Sequence, residues 1–340
     1  MNIVAISDLH GQLPENLPRF DLLLIAGDIC PVNDHSYSYQ REWLSNTLVP
    51  WINNLPFNSV WSKVIFTPGN HDFYFERERP DSARYKFEIQ HPTNCRFVYL
   101  RNELYTFDYL EHGELKQLKI FGSPWCHRFG NWAFMNDDSF LKTKFNEIPE
   151  GVDILLTHDA PYGCSDICYQ NFINLSVSSG LSNLGSKPLR DAILRSQPKF
   201  CFHGHLHSSN HEPMFLGKTR VMNVSLLDEL YKMSYEPRLI DSSVLDCEVE
   251  YRIDEEYVLY NRFNRLIKLE KVNDSLYKLV GDLGFATVTY NSDNESIYAI
   301  DPEGGPFLCI GSKWNDFIVR SITDVGNTVL VEIEKDELSS

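Results

Sequence analysis

The chain has 340 residues, of which 43% are hydrophobic and 23% charged, enough for one large core together with a smaller domain. Its net charge of −16 argues against an extended nucleic-acid track, because binding a phosphate backbone needs clustered Lys and Arg. The first apolar run has no basic stretch before it and ends at Asp8, so we expect neither a signal peptide nor a membrane span. Eight scattered cysteines without a paired Cys-x-x-Cys unit indicate reduced thiols and a cytoplasmic protein.

Five short apolar runs are each followed by a polar motif. They are residues 3–6, 22–26, 64–66, 154–156 and 200–202. Runs that are apolar on consecutive positions and flanked by Gly or Pro are typical of buried strands. Segments with helical periodicity or caps lie between several of them. We therefore predict an α/β protein in which β-sheets are flanked by helices.

Two helices are predicted between the runs. Apolar residues recur at helix-like steps over residues 43–55, although Pro50 should bend or end that pattern, and we interpret them as core. A second helix is expected over residues 186–196, with Ser186 as its cap and Pro188 near its first turn. It precedes the last of the five apolar runs.

The polar residues after the runs are candidate metal ligands. They fall at the C-terminal ends of the predicted strands, where layered α/β proteins bind ligands. Divalent metals bind carboxylate, imidazole and amide oxygen, and a carboxylate can bridge two ions. One ion is assigned Asp8, His10 and His207, the other Asn70, His158 and His205, and Asp28 is assigned the bridge. Each ion would keep open coordination positions, as a catalytic metal does.

Such a site suits hydrolysis of a phosphate ester. Two ions about 3.5–4 Å apart can lower the pKa of a shared water to give a hydroxide nucleophile and hold the phosphoryl oxygens during in-line displacement. His71 directly follows the ligand Asn70 and is not needed as a ligand, so we assign it the general acid that protonates the leaving oxygen. These ligands accept Mn²⁺, Fe, Zn²⁺ or Ni²⁺, and Mn²⁺ is our first choice.

The motifs also have a specific order. They are Asp8-Leu9-His10-Gly11, Gly27-Asp28, Gly69-Asn70-His71-Asp72, Thr157-His158 and Gly204-His205-Leu206-His207. In this order they resemble the five motifs of the calcineurin-like metallophosphoesterase superfamily. The resemblance covers residues 1–235 and implies the layered metallophosphoesterase fold. It agrees with the metal and acid assignments made above.

A further segment narrows the expected substrate. Gly122-Ser123-Pro124-Trp125 and the Gly-Asn-Trp-Ala-Phe sequence from Gly130 are similar to a segment of small metallophosphoesterase-domain proteins that hydrolyse cyclic nucleotides. Protein serine/threonine phosphatases fit less well, because they carry an Asp-Arg-Gly extension where this chain has Asp28-Ile29-Cys30-Pro31. We expect a phosphodiesterase acting on small, cyclic-nucleotide-like substrates. The alternatives are a phosphomonoesterase and a non-catalytic metal-containing binding or scaffold module.

Residues beside the motifs have less specific patterns. The aromatic residues 73–75 could stack on a nucleobase, but aromatic runs after a turn more often pack under a loop. His127 and Arg128 could meet a substrate phosphate, although an Arg in a surface loop is usually solvated. The histidines outside the motifs, including His35, are expected to be structural or exposed.

The composition changes near Asp241. Residues 241–340 hold 20 Asp and Glu against 9 Lys and Arg, with alternating stretches such as 266–270 and 329–333 between turn-rich pieces. We predict a metallophosphoesterase domain over residues 1–240 and a small acidic β-rich accessory domain over the remainder. The expected ligand of the first is a small phosphate ester. For the second, a protein contact is one open role, and no membrane partner is expected.

Overall fold

The computed structural model describes residues 1–78, 96–111, 113–169, 181–216 and 218–242, and beyond these the backbone of a set of strands that starts at Glu256. The chain divides into two compact units. The first comprises Met1–Asp166 and Asn183–Glu248, and the second comprises Ile167–Ser182 and Val249–Ser340. The domain boundary expected at residue 241 stays a prediction.

Strands outnumber helices in the first part of the chain. Its strands are β1 Asn2–Ile6, β2 Leu22–Ala26, β3 Lys63–Thr67, β4 Phe97–Tyr99, β5 Glu103–Glu111, β6 Glu114–Ser123, β7 Cys126–His127, β8 Met135–Asn136, β9 Ile154–Thr157, β10 Ile167–Tyr169, β11 Leu181–Asn183, β12 Phe200–His203, β13 Met214–Leu216, β14 Thr219–Asn223 and β15 Arg238–Asp241. The helical segments are Tyr37–Trp43, Leu44–Leu48, Val49–Asn53, Phe73–Arg77, Asp138–Phe145 and Lys187–Ser196. Among the described residues, no helix combines the length and the apolar character needed to cross a membrane.

Two mixed sheets form the centre of the first unit. One has the strand order β15-β1-β2-β3-β4 and the other has the order β13-β14-β12-β9-β6-β5. Strands β1 to β4 run parallel, as do β6, β9, β12 and β14, while the outermost pairings with β15, β13 and β5 are antiparallel. Parallel neighbours end at the same edge of a sheet. The five polar motifs follow β1, β2, β3, β9 and β12 and therefore meet at carboxyl edges.

Apolar side chains on both faces of the sheets explain their stacking. Ile3 and Leu156 belong to a buried cluster between the two sheets. The next residue on β1, Val4, faces the other way and packs with the helical residues that follow β2. On the far side of the second sheet, Leu155 packs with the helix Lys187–Ser196. The result is two sheets flanked by helices, which confirms the predicted fold class.

Pro50 interrupts the first predicted helix without ending it. The segment is α-helical to Trp43, π-helical over Leu44–Leu48 and α-helical again over Val49–Asn53. Proline has no N–H to donate, and its ring clashes with the carbonyl one turn earlier. A π-helical turn just before it shifts the hydrogen-bond pattern by one residue. Leu44, Leu48, Ile52 and Leu55 are buried as predicted, and Trp43 and Trp51 pack against the same core while partly exposed.

The second predicted helix is confirmed. It spans Lys187–Ser196, and the hydroxyl of its cap, Ser186, accepts the N–H of Leu189 at 3.3 Å. Its C-cap, Gln197, adopts a left-handed conformation with φ of 45°. Strand β12 begins three residues later at Phe200 and leads directly into the last polar motif.

The second unit is described through its backbone. Its strands beyond residue 250 are β16 Glu256–Tyr260, β17 Leu266–Lys271, β18 Leu276–Gly281, β19 Thr287–Asn291, β20 Ser296–Ile300, β21 Pro306–Cys309, β22 Lys313–Trp314, β23 Phe317–Asp324 and β24 Val329–Lys335. They form one sheet with the order β16-β17-β18-β24-β23-β22 and another with the order β19-β20-β21. Their pairings are antiparallel, which confirms the β-rich tail. Its role stays a prediction.

Candidate metal centre

The polar motifs converge where the strands end, within the first unit. Asp8, His10, Asp28, Asn70, His158 and His207 are buried, whereas His71 and His205 are partly exposed. Burying carboxylates is costly unless a positive charge or hydrogen bonds compensate them. The cluster therefore needs a partner for its negative charge.

The backbone at these positions is strained. The residues with φ in the left-handed region include Asp8 (54°), His10 (44°), Asp28 (50°) and His205 (68°). Each such residue costs about 1–3 kcal/mol, and strain of this kind concentrates at functional sites. Gly69 makes room for the bend, because a β-carbon there would overlap the carboxylate of Asp28.

Asp8, His10 and His207 form one candidate metal group, with ligand atoms within 4.8 Å of one another. The Nε2 of His207 lies 3.3 Å from Asp8 Oδ1 and 3.1 Å from the Nε2 of His10. The Nδ1 of His207 lies 3.0 Å from the carbonyl of Asp228 and must donate to it, since a carbonyl only accepts. In the neutral ring, Nε2 then carries its lone pair towards His10 and Asp8, which is the orientation of a metal ligand.

His158 repeats this arrangement on the other side. Its Nδ1 lies 2.9 Å from the carbonyl of Ala26, so Nδ1 donates and the neutral ring presents an accepting Nε2. That Nε2 lies 2.9 Å from Asn70 Oδ1 and 3.3 Å from Asp28 Oδ2. Three acceptors therefore converge with no donor between them. The arrangement is repulsive unless a proton or a metal cation binds there, and imidazole, amide and carboxylate suit a divalent metal.

Asp28 lies between the two groups. Its Oδ2 is 3.3 Å from the Nε2 of His158 and 3.6 Å from that of His10. Asp28 belongs to one group with His10 and His71 and to another with Asp8 and His158. This is the position that the predicted bridging carboxylate needs.

Electrostatics in the cluster favour bound positive charge. Burial raises the pKa of Asp28, but His158, His71 and His10 together outweigh it and hold that pKa well below the usual range. Burial lowers the pKa of His158 and of His207, but Asp28 raises the first to about 10 and Asp8 raises the second to about 9. Without a metal these rings would hold protons at neutral pH. A divalent cation competes for the same lone pairs.

His205 is placed differently from the other predicted ligands. Its backbone N–H donates to both carboxylate oxygens of Asp8, at 3.1 and 3.0 Å. Its ring centroid lies 5.0 Å from that of His158, but within the described part of the chain it is outside the groups of clustered ligand atoms. Burial lowers its pKa to about 3, which keeps the ring neutral. Its assignment as a metal ligand stays a prediction.

His71 presents one ring nitrogen to the cluster. Its backbone N–H donates to Asp28 Oδ1 at 2.7 Å, and its carbonyl accepts from Gln40 Nε2 at 2.7 Å. Its Nε2 lies 4.0 Å from Asp28 Oδ2, beyond hydrogen-bonding distance. Burial lowers the pKa of the ring, although the charge of Asp28 acts in the opposite direction. The atom that the predicted general acid would use is thus at the cluster, and the acid role itself stays a prediction.

Supporting residues include some that sequence reasoning missed. The hydroxyl of Ser225 donates to Asp8 Oδ2 at 2.6 Å, and no motif surrounds Ser225. Asp72 accepts the N–H groups of Gly69 at 2.8 Å and Cys30 at 2.9 Å, which joins the loops after β2 and β3. Asp72 does have a signal in the sequence, since it ends the third motif. Such partners orient the ligands of a metal.

The aromatic residues that border the cluster differ from those expected. Tyr74 and Phe75 are 2% and 0% exposed and belong to the core, so they pack inside the protein as favoured above, and the alternative that they stack on a nucleobase is wrong. Instead, Trp132 lies 4.5 Å from the ring of His71. Phe129 and Tyr231, each 40% exposed, lie 5.4 Å from His205 and 4.9 Å from His10 respectively.

His127 and Arg128 make contacts within the protein. The backbone N–H of His127 donates to Asp159 Oδ2 at 2.9 Å, and its Nδ1 lies 3.2 Å from the same oxygen. The charge of Asp159 raises the pKa of His127. Arg128 donates to the carbonyl of Met135 at 3.4 Å. A substrate contact for either residue stays a prediction.

Fold and site together define a metallophosphoesterase, and the comparison with known proteins agrees. The family model described as calcineurin-like phosphoesterase matches residues 1–209, so the chain belongs to that family. Among curated relatives, human metallophosphoesterase domain-containing protein 1 is 28% identical over 248 residues, which cover 70% of each chain. A UPF0046 protein of Caenorhabditis elegans is 26% identical over 283 residues, covering 78% of this chain and 66% of that protein. The chain thus spans about two thirds of the nematode protein.

Among solved structures, the chain is similar to the phosphopantetheinyl hydrolase of Mycobacterium tuberculosis, with 17% identity and a TM-score of 0.37. The match covers 66% of this chain and 88% of that structure. The predicted resemblance to the metallophosphoesterase superfamily is confirmed by the family match. Family membership and the Asp/His cluster support divalent-metal binding and phosphoester hydrolysis.

Proposed function

We propose that the protein is a Mn²⁺-dependent phosphodiesterase that hydrolyses small, cyclic-nucleotide-like phosphate esters. The observation that carries the proposal is the convergence of His158 Nε2, Asn70 Oδ1 and Asp28 Oδ2, which has no donor among them when the ring of His158 is neutral. A general acid beside that cation site adds further support, because the Nε2 of His71 faces the same cluster. Together they supply the two requirements of metal-assisted phosphoester hydrolysis.

The residues of the chain divide the chemistry between them. Two divalent ions held by Asp8, His10, Asn70, His158, His205 and His207, with Asp28 between them, would supply an activated water and neutralise phosphoryl charge. Asp28 also fixes the backbone of the acid, since it accepts the N–H of His71. As the bond from phosphorus to the leaving oxygen breaks, His71 gives its Nε2 proton to that oxygen.

The aromatic border of the cluster supports a diester with a planar organic group. Phe129, Trp132 and Tyr231 each lie against one of the histidines of the centre. Aromatic faces bind nucleobases by stacking with little dependence on sequence. A diester carries organic groups on two sides of the phosphate, so it can contact such a border more fully than a monoester.

The setting of the enzyme is also proposed. Its ligand is a small phosphate ester, and we propose neither an extended nucleic acid nor a membrane as a partner. The second unit is a candidate for contact with another protein. The free thiols of the protein support a cytoplasmic location. Among the described residues, Cys30, Cys126, Cys164 and Cys201 are buried free thiols, which fits a reducing compartment.

Hydrolysis of two model esters tests the proposal. Metal-stripped protein is assayed with bis(p-nitrophenyl) phosphate and p-nitrophenyl phosphate, with and without Mn²⁺, beside the Asp28→Asn variant. We expect Mn²⁺-dependent cleavage of the diester that the variant lacks. Preferred cleavage of the monoester would replace the proposal by a phosphomonoesterase. Bound metal without turnover would instead favour the binding or scaffold module.

A further inference from the structure

We propose that His35 is a positioning residue for His71, whose ring it holds with Nε2 directed at the leaving oxygen. This inference rests on the proposed function, in which His71 is the general acid. The Nε2 of His35 lies 3.1 Å from the Nδ1 of His71, which is a hydrogen-bond distance. His35 lies outside the five motifs.

His35 is itself held in place by its surroundings. Its ring lies 5.1 Å from the ring of Phe73 and meets Trp132 edge-on at 5.3 Å. The next residue, Ser36, caps the helix Tyr37–Trp43 and fixes the backbone beside His35. The histidine therefore presents its Nε2 from a packed position at the start of a helix.

The hydrogen bonds to the backbone of His71 do not fix the orientation of its ring. Asp28 and Gln40 bind the backbone N–H and carbonyl of His71, which fixes the main chain but does not prevent the ring from turning. Trp132 lies against the ring face at an angle of 36°, and such packing does not distinguish the two ring nitrogens. Among the described residues, His35 makes the hydrogen bond to a ring nitrogen of His71, which selects Nδ1 as the nitrogen that faces His35 and leaves Nε2 towards Asp28, 4.0 Å from its Oδ2.

The proton inventory is consistent with this assignment. Before the reaction His71 is an imidazolium, with a proton on each ring nitrogen. Its Nδ1–H donates to the lone pair of His35 Nε2. When the bond from phosphorus to the leaving oxygen breaks, the Nε2 proton of His71 moves to that oxygen. His71 then remains as the neutral tautomer with its proton on Nδ1, still bonded to His35. His35 Nε2 accepts one hydrogen bond throughout and transfers no proton.

Two variants of His35 separate packing from hydrogen bonding. His35→Phe keeps a ring between Phe73 and Trp132 but removes the acceptor. His35→Gln places an amide oxygen near the position of Nε2 and can accept the same bond. The substrates are bis(p-nitrophenyl) phosphate, whose leaving group needs little protonation, and diphenyl phosphate, whose more basic leaving group needs the acid.

We expect His35→Phe to lower kcat for diphenyl phosphate about tenfold or more, and kcat for bis(p-nitrophenyl) phosphate about threefold or less. KM and bound Mn²⁺ should stay at the wild-type values. His35→Gln should recover most of the lost rate. A purely structural role would affect both esters equally and would not be rescued by Gln.

Tyr39→Phe is the matched control. It removes a hydrogen bond to Asn33 in the same segment without touching His71 and should retain wild-type rates on both esters. Equal losses on the two esters, loss of Mn²⁺, or unchanged rates in His35→Phe would each overturn the role of His35 while leaving the proposed function standing. A wild-type protein that cleaves neither ester would instead overturn the proposed function and this inference with it.

Discussion

Gly204 lies so close to the carboxylate of Asp8 that no side chain fits between them. A β-carbon on Gly204 would overlap Asp8 Oδ2 and the hydroxyl of Ser7. We expect Gly204→Ala to displace Asp8, to weaken Mn²⁺ binding, and to cost about 1–3 kcal/mol of unfolding free energy. Metal content after dialysis and thermal unfolding measure the two effects. Gly151→Asn is the control, because Gly151 has open space around it and Asn tolerates its positive φ. Wild-type metal content in Gly204→Ala would contradict the prediction.

Asp28→Asn tests the bridging carboxylate with little change of shape. The amide keeps an oxygen that can accept the N–H of His71, and Asn tolerates the left-handed backbone at this position. The substitution removes the negative charge that Asp28 contributes to both groups of candidate ligands. We therefore expect bound metal and hydrolysis to disappear together, as measured by elemental analysis and diester turnover. Asp191→Asn, on an exposed side chain, should change neither. Full metal content in Asp28→Asn would argue against the bridge.

His71→Ala separates acid catalysis from metal binding. If His71 is the general acid and not a ligand, the variant should keep wild-type Mn²⁺ but lose turnover by about 10²–10⁴-fold. Steady-state kinetics and metal analysis on the same preparation decide this. Full activity would show that the acid assignment is wrong. Loss of metal would make His71 a ligand, which its grouping with His10 and Asp28 permits.

The metal-free protein should depend on pH in a characteristic way. The pKa values of His158 and His207, about 10 and 9, exceed their ordinary value of 6.5. Their stabilising contribution is full below pH 6.5 and is lost as the pH rises towards 9, by up to about 1.4 kcal/mol per pH unit for each proton. His10 and His205 have the opposite effect, because their pKa values in the folded protein are about 3. Below pH 6.5 these two residues lower the free energy of unfolding.

We therefore expect the melting temperature of the metal-free protein to be highest near neutral pH and to fall between pH 7 and pH 8.5. Bound Mn²⁺ takes the place of the protons on His158 and His207. The Mn²⁺-loaded protein should therefore melt at a higher temperature, and its melting temperature should fall less between pH 7 and pH 8.5. Scanning calorimetry with and without Mn²⁺ measures both. Parallel pH profiles for the two forms would contradict the argument.

Sequence reasoning found the residues that carry a local pattern. The strands before the motifs and the helix capped by Ser186 follow from apolar runs and a capping signal, and the structure confirms them. The sequence places His35 among the structural or exposed histidines and does not single out Ser225 or Tyr231, because each contributes through a contact with a residue distant in the chain. Their neighbours give no spacing from which such a contact could be inferred. The π-helical turn before Pro50 is a similar case, since the sequence predicts a disturbance but not its form.

The predicted ligands of the candidate centre come from both sheets of the first unit. Asp8, His10, Asp28 and Asn70 follow strands of one sheet, whereas His158, His205 and His207 follow strands of the other. A folding intermediate with only one sheet formed would hold half of the coordination sphere. We therefore expect high-affinity metal binding to need both sheets, so that bound metal would report that the two sheets have come together.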